Sequence, residues 1–82
     1  MTEPGDVVVC TALEWCPHML VLAVEADRLR TALLADLAQE TVQRLRRGQT
    51  ATVVRAIQRA AIETYWVPSD DVAPSPVLEG PP

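Results

Sequence analysis

The sequence predicts a mainly α-helical domain, for three reasons. The apolar residues are Leu, Val, Ile and Ala with no Phe, and such small side chains suit closely packed helices. A long stretch at about 26–47 is rich in Ala, Leu, Arg, Glu and Gln, and neither Gly nor Pro interrupts it. Gly48 then separates it from a second apolar-periodic stretch. We therefore expect a small helical protein built on a helical hairpin, at about 19/26–47 and 50–66.

A short N-terminal β segment at 7–13 should precede the hairpin. Val7 to Thr11 is apolar and largely β-branched, which favours a strand. The run Met19 to Val24 is apolar at every position, so its pattern fits a second strand as well as the first turns of a helix. Its Leu, Met and Ala content favours helix, and we take that as the prediction.

Pro68 should end the second helix. Residues 68–82 contain five prolines and three acids, which predicts an extended Pro-rich acidic C-terminal tail. We expect one small domain at 1–67 followed by this tail at 68–82. A chain of 82 residues buries only about 60% of its unfolded surface, so it often depends on a partner for stability.

The net charge of −4 is unevenly distributed along the chain. Residues 1–27 carry five acids and no base, residues 28–59 carry seven arginines and two acids, and residues 60–82 carry four acids and no base. Such a chain can neutralise its own basic segment or offer that segment to an acidic partner.

A candidate partner-binding face lies on the outer side of the second predicted helix. Four of its residues follow a spacing of i, i+4, i+7 and i+11, and three further arginines crowd the turn before it; the full set is Arg55, Arg59, Ile62, Trp66, Arg44, Arg46 and Arg47. Trp and Arg are over-represented at interface hot spots, which favours binding. The alternative is a solvated charged face whose ion pairs contribute little.

The sequence offers little support for an enzyme. Cys16 and His18 are too close in sequence to face each other readily, and neither a third member nor an oxyanion site is evident. Zinc held by Cys10, Cys16, His18 and Glu14 would not match a known ligand spacing. A disulfide between the two cysteines would require the segment to fold back on itself. We expect no catalytic, cofactor-binding or metal-binding residues.

At residues 48–57 the chain resembles the second helix of ribbon-helix-helix repressors. There a Gly and a Ser/Thr-x-Ser/Thr cap precede an apolar helix with an Arg, as Gly48, Thr50, Thr52 and Arg55 do here. Val53 departs from the pattern, which usually has an acid at that position. The resemblance implies a dimeric DNA-binding regulator, of ribbon-helix-helix-like or antitoxin-like type, that uses the central arginine cluster.

Our leading expectation is a non-enzymatic protein-interaction or accessory subunit of a larger assembly, with a protein partner or a homo-oligomer and with nucleic acid as the alternative. Lys and Asn are absent while Arg and Ala are plentiful, which indicates a GC-rich genome of actinobacterial or phage origin. No apolar run approaches the roughly 20 residues needed to span a bilayer, so we expect no membrane partner. We expect a cytoplasmic location, or a virion-associated one if a phage encodes the chain.

Overall fold

The computed structural model describes residues 2–60 and 62–78, and within these ranges the chain forms five β-strands and two α-helices. In chain order they are β1 (Val7–Cys10), β2 (His18–Glu25), β3 (Arg28–Leu33), α1 (Gln39–Arg46), α2 (Thr50–Arg59), β4 (Tyr65–Pro68) and β5 (Val72–Pro74). Single 3₁₀ turns follow β3 and β4, at Leu34–Asp36 and Ser69–Asp71. The strands form one antiparallel sheet in the order β4-β3-β2-β1-β5.

The predicted mainly α fold, and with it the description as a small helical protein, is wrong. Within the expected helix at 19/26–47, the residues up to Leu33 form the hairpin of β2 and β3. The α-helix in this stretch is α1, at Gln39–Arg46. The expected helix at 50–66 ends at Arg59. The expected β segment at 7–13 is a strand over Val7–Cys10.

The uniform apolar run of β2 has a structural cause. Leu20 and Leu22 face the helices, whereas Met19 and Val21 face the opposite side of the sheet, and all four are buried. A strand buried on both faces needs no polar residue on either, so its sequence shows no alternation.

The expected extended C-terminal tail also requires correction. Its first residues form the 3₁₀ turn and β5, and β5 pairs with β1 through Val9 opposite Ala73. The Ser75 backbone N–H donates to the Val7 carbonyl at 3.0 Å, which extends this pairing. Residues 79–82 of the expected tail lie outside the described residues.

The two edge strands, β4 and β5, are joined only by the turn Ser69–Asp71. A connection this short requires the sheet to curl. In a flat sheet, four spacings of about 4.8 Å would place β4 about 19 Å from β5. The turn Ser69–Asp71 covers only about 6 Å at the 3₁₀ rise of about 2 Å per residue. Backbone bonds hold this turn against both halves of the sheet, from Ser69 to the Asp27 carbonyl and from Thr11 to the Asp71 carbonyl, each at 2.8 Å.

The curled sheet separates two apolar cores. The helix-side core consists of Leu20, Leu22, Ala32, Leu37, Leu45, Val53, Val54 and Ile57. The inner core consists of Val8, Cys10, Met19, Val21 and Leu29. Burial of each large side chain in such cores contributes about 1.5–3 kcal/mol, so both faces of β2 and β3 stabilise the fold.

Helix α2 is fixed to the sheet at an irregularity in β2. The pairing of β2 with β3 shifts register between Val21 and Ala23. The Leu22 carbonyl at this point accepts a hydrogen bond from Nε2 of Gln58, at 3.1 Å. The end of α2 therefore lies beside the middle of β2, and residues 24–28 beyond this point are exposed.

Candidate interaction surface

The residues predicted to form one helical face are separated in the structure. Arg55 and Arg59 lie on the exposed side of α2. Ile62 follows the helix, is half-buried and packs against the helix-side core. Trp66 lies in β4 and its exposed fraction is 44%. The end of α2 before Tyr65 therefore removes the predicted i, i+4, i+7, i+11 arrangement.

The other three arginines of the predicted set lie on or directly after α1. Arg44 forms an exposed ion pair with Glu40 at 3.1 Å. Arg46 donates to the Val77 carbonyl at 3.4 Å, and Arg47 caps the end of α1. An exposed pair of this kind contributes about 0–1 kcal/mol, so these contacts add little to stability.

Trp66 instead lies beside two arginines outside the predicted set. Arg30 is its direct partner in the pairing of β3 with β4. Arg28 lies two residues away on the same side of β3, and its guanidinium carbon is 4.2 Å from the centroid of the Trp66 ring. We call Arg28, Arg30 and Trp66 the basic–aromatic strip.

The hydrogen-bond alternation of the two strands explains why these side chains are close. The bond from Ser69 to Asp27 makes those two residues a hydrogen-bonded pair in the register of β3 with β4. Antiparallel pairs alternate, so Arg30 and Trp66 form a non-hydrogen-bonded pair, in which side chains stand closer together. Arg28 is the diagonal neighbour of Trp66, within reach of a long side chain.

The charge on Arg30 is not paired with an acid in the part of the chain that the structure describes. Its Nε donates to the neutral Thr64 hydroxyl at 3.1 Å, and the side chain is half-buried. The ion pairs found among the described residues are Arg28 with Glu25, at 3.3 Å, and Arg44 with Glu40. Arg30 therefore presents a partly desolvated cation beside an exposed indole ring.

Tyr65 lies next to the strip, on the opposite face of β4. Its hydroxyl has a pKa raised above the ordinary 10.0 by partial burial, by a hydrogen bond with Glu63, and by the negative charges of Glu63 and Asp36. This end of β4 is therefore acidic, in contrast to the strip.

Cys16 and His18, the residues considered for catalysis, line the same groove and make different contacts, since the Cys16 thiol lies 3.4 Å from the Leu13 carbonyl oxygen. Cys10 is buried and Cys16 is exposed, and both thiols are free. Nδ1 of His18 lies 2.6 Å from Oγ of Ser75, a buried side chain. The His18–Ser75 contact holds the segment after β5 against the start of β2. No group of three or more His, Cys, Asp or Glu residues suited to a metal ion occurs in 2–60 or 62–78.

Two grooves lie away from the strip. A groove of about 320 Å³ runs beside the exposed Trp15, between the segment before β2 and the end of β3, and includes Leu33, Leu34 and Val77. A larger groove of about 470 Å³ lies between β5, the N-terminal turn and the start of α2, and includes Asp6 and Thr50. Its lining mixes polar and apolar groups without a concentration of charge.

The sequence contains a signal that could have identified the strip. Arg28, Leu29, Arg30 and Thr31 alternate between charged residues and residues buried in the sheet. This period of two is typical of a strand, but the residues around it are good helix formers and favour a helix prediction.

Among the helices in the described part of the chain, none has the length and apolar character needed to cross a bilayer.

Comparison with protein-family models gives no match, and comparisons with curated proteins and with solved structures give none either. The candidate surface is the basic–aromatic strip, because it combines two arginines with an exposed tryptophan.

Proposed function

We propose that this chain is a non-enzymatic interaction subunit of a larger assembly, and that its basic–aromatic strip binds an acidic segment of a protein partner. The observation that carries the proposal is Arg30, a half-buried guanidinium whose hydrogen bond goes to a neutral hydroxyl. Removing a charge from water without an opposite charge nearby is unfavourable. A carboxylate from a partner would therefore stabilise the charged Arg30 guanidinium.

The neighbouring residues add to this surface. Trp66 is 44% exposed and offers a large apolar area for a partner to bury. Arg28 extends the positive charge across its ring. A charge-assisted hydrogen bond contributes about 1.5–3 kcal/mol, so a single carboxylate on Arg30 corresponds to a tenfold gain in affinity or more.

The charge around the strip restricts where the partner's acid can lie. Glu63 and Asp36 act on Tyr65 at one end of β4. Asp27 and Asp70 are exposed near the other end. An acidic side chain is therefore favoured only near the middle of the strip, beside Arg30 and Trp66.

The test is a binding titration with a fluorescently labelled extended peptide in which glutamate and threonine alternate. A peptide with lysine in place of glutamate and a short DNA duplex serve as probes of the other charge and of nucleic acid. We expect the glutamate peptide to bind, with an affinity that falls as salt is added, and the lysine peptide not to bind.

The variant Arg30→Ala/Trp66→Ala should weaken binding of the glutamate peptide by tenfold or more. The control Arg55→Ala/Arg59→Ala removes two arginine charges from the exposed side of α2, one more than the test variant removes, and should still retain most of the affinity. Equal losses in both variants would show a general charge effect and contradict the proposal. Preferential binding of the DNA duplex would replace it with a nucleic-acid function.

A further inference from the structure

The backbone of β4 can accept a further strand, and the groups it would use follow from the register. β4 lies at the edge of the sheet and pairs with β3 on one side. Leu29 with Val67, and Thr31 with Tyr65, are the hydrogen-bonded pairs, because the Asp27–Ser69 pair fixes the alternation. The N–H and C=O groups of Trp66 therefore point outward from the sheet. No other segment within 2–60 or 62–78 bonds to them.

Pro68 limits the number of backbone N–H groups that β4 can offer to an added strand. It is the next outward-pointing residue after Trp66, and proline has no N–H to donate. Pro74 has the same position on the opposite edge, because the bonds from Ser75 to Val7 and from Thr11 to Asp71 make Val8 and Pro74 a non-hydrogen-bonded pair. Proline at such positions is a known means of preventing uncontrolled strand addition.

We propose that the acidic partner segment binds as an added β-strand on the outer edge of β4, with its register fixed by Trp66. This inference rests on the proposed function and adds the mode of binding. The residue opposite Trp66 would exchange two backbone hydrogen bonds with it. Its side chain would point to the same face as Trp66, towards the guanidinium of Arg28, which lies over that ring.

The charges on the two faces of β4 restrict the sequence of the segment. The carboxylate belongs opposite Trp66, on the face that Trp66 shares with Arg30, its pair in β3, and with Arg28, whose guanidinium lies over the ring. Arg28 is already bridged to Glu25, but both side chains are exposed and the pair can rearrange at little cost. The position opposite Tyr65 should be neutral, because Glu63 and Asp36 lie close to it.

The first test changes the hydrogen-bonding groups on the outer edge of β4 and leaves its bonds to β3 unchanged. Pro68→Ala adds one outward N–H and removes no bond to β3, so we expect the glutamate peptide to bind about two- to tenfold more tightly. Pro74→Ala makes the same chemical change on the opposite edge and should leave the affinity unchanged. An equal gain in both variants, or a gain in Pro74→Ala alone, would contradict binding at β4.

The second test uses the unaltered protein, so it does not depend on how the variants fold. The glutamate peptide is methylated at one backbone nitrogen at a time. Strand addition predicts that losses of affinity alternate along the peptide, since only every second N–H faces β4. A uniform response would overturn strand addition. If Arg30→Ala/Trp66→Ala still weakened binding by tenfold or more, the proposed function would stand. If that variant bound as tightly as the unaltered protein, the proposed function itself would fail.

Discussion

The guanidinium carbon of Arg28 lies 4.2 Å from the centroid of the Trp66 indole ring, across the junction of β3 and β4. This contact joins residues 38 positions apart in the sequence, and it exists because β3 and β4 are antiparallel neighbours with Arg28 opposite Pro68. It also places a positive charge over an exposed side chain of an edge strand.

The first prediction concerns the strength of this contact. Arg28→Ala, Trp66→Ala and the double variant should give a coupling of about 0.5–1 kcal/mol in the free energy of unfolding, as expected for an exposed cation–π pair. Denaturant unfolding of the four proteins measures it. Glu25→Ala is the control, because it removes the ion pair of Arg28 and leaves the ring contact. Strictly additive effects of Arg28→Ala and Trp66→Ala would show that the contact contributes no stability.

The second prediction concerns the titration of Tyr65, the one tyrosine of the chain. Partial burial, the Glu63 hydrogen bond and nearby acids raise its pKa above 10.0, so the ultraviolet absorbance of tyrosinate should appear with a midpoint above that value. The folded protein then holds a proton that the unfolded chain releases near 10.0. The stability due to Tyr65 is therefore fully present below pH 10 and is lost as the pH rises through the folded pKa.

Glu63→Gln should lower that midpoint, because it removes one of the negative charges that oppose ionisation. Glu14→Gln changes an acid elsewhere on the surface and should not move it. A midpoint at or below 10.0 in the unaltered protein would contradict the environment described for Tyr65.

The third prediction concerns two residues with left-handed backbone conformations. Gly48 follows α1 with φ of 82°, and a side chain there would meet open space, so Gly48→Ala should cost about 1 kcal/mol from the backbone alone. Ala26 has φ of 44° in the turn between β2 and β3. Ala26→Gly relieves the same strain and should raise the melting temperature. The rise is reduced because glycine has more conformational entropy in the unfolded chain. Shifts of the same sign in both variants would be inconsistent with these conformations.

The sequence predicted local features better than their assembly. Gly48 was expected directly after a helix and lies directly after α1 and its capping residue. The strand at Val7–Cys10 was expected because β-branched residues favour extended backbone whatever they pack against. The hairpin of β2 and β3 was missed because burial on both faces hides the alternation of β2, while Ala, Leu and Arg in β3 are also good helix formers.

The prolines show most clearly why the site could not be predicted from local pattern. From local pattern alone, Pro68 predicts the end of a helix and Pro74 predicts part of an extended tail. Their observed positions, on the outward side of two edge strands, depend on the register with β3 and β1. Trp66 likewise meets Arg28 and Arg30 only through strand pairing, and a single sequence does not specify which strands pair.

The most direct test of the central claim is a map of backbone amide NMR shifts during titration with the glutamate–threonine peptide. Binding to the basic–aromatic strip predicts that the largest changes fall in β3 and β4, centred on Arg30 and Trp66, with small changes along α2. Largest changes at Arg55 and Arg59, or no change at saturating peptide, would contradict the claim.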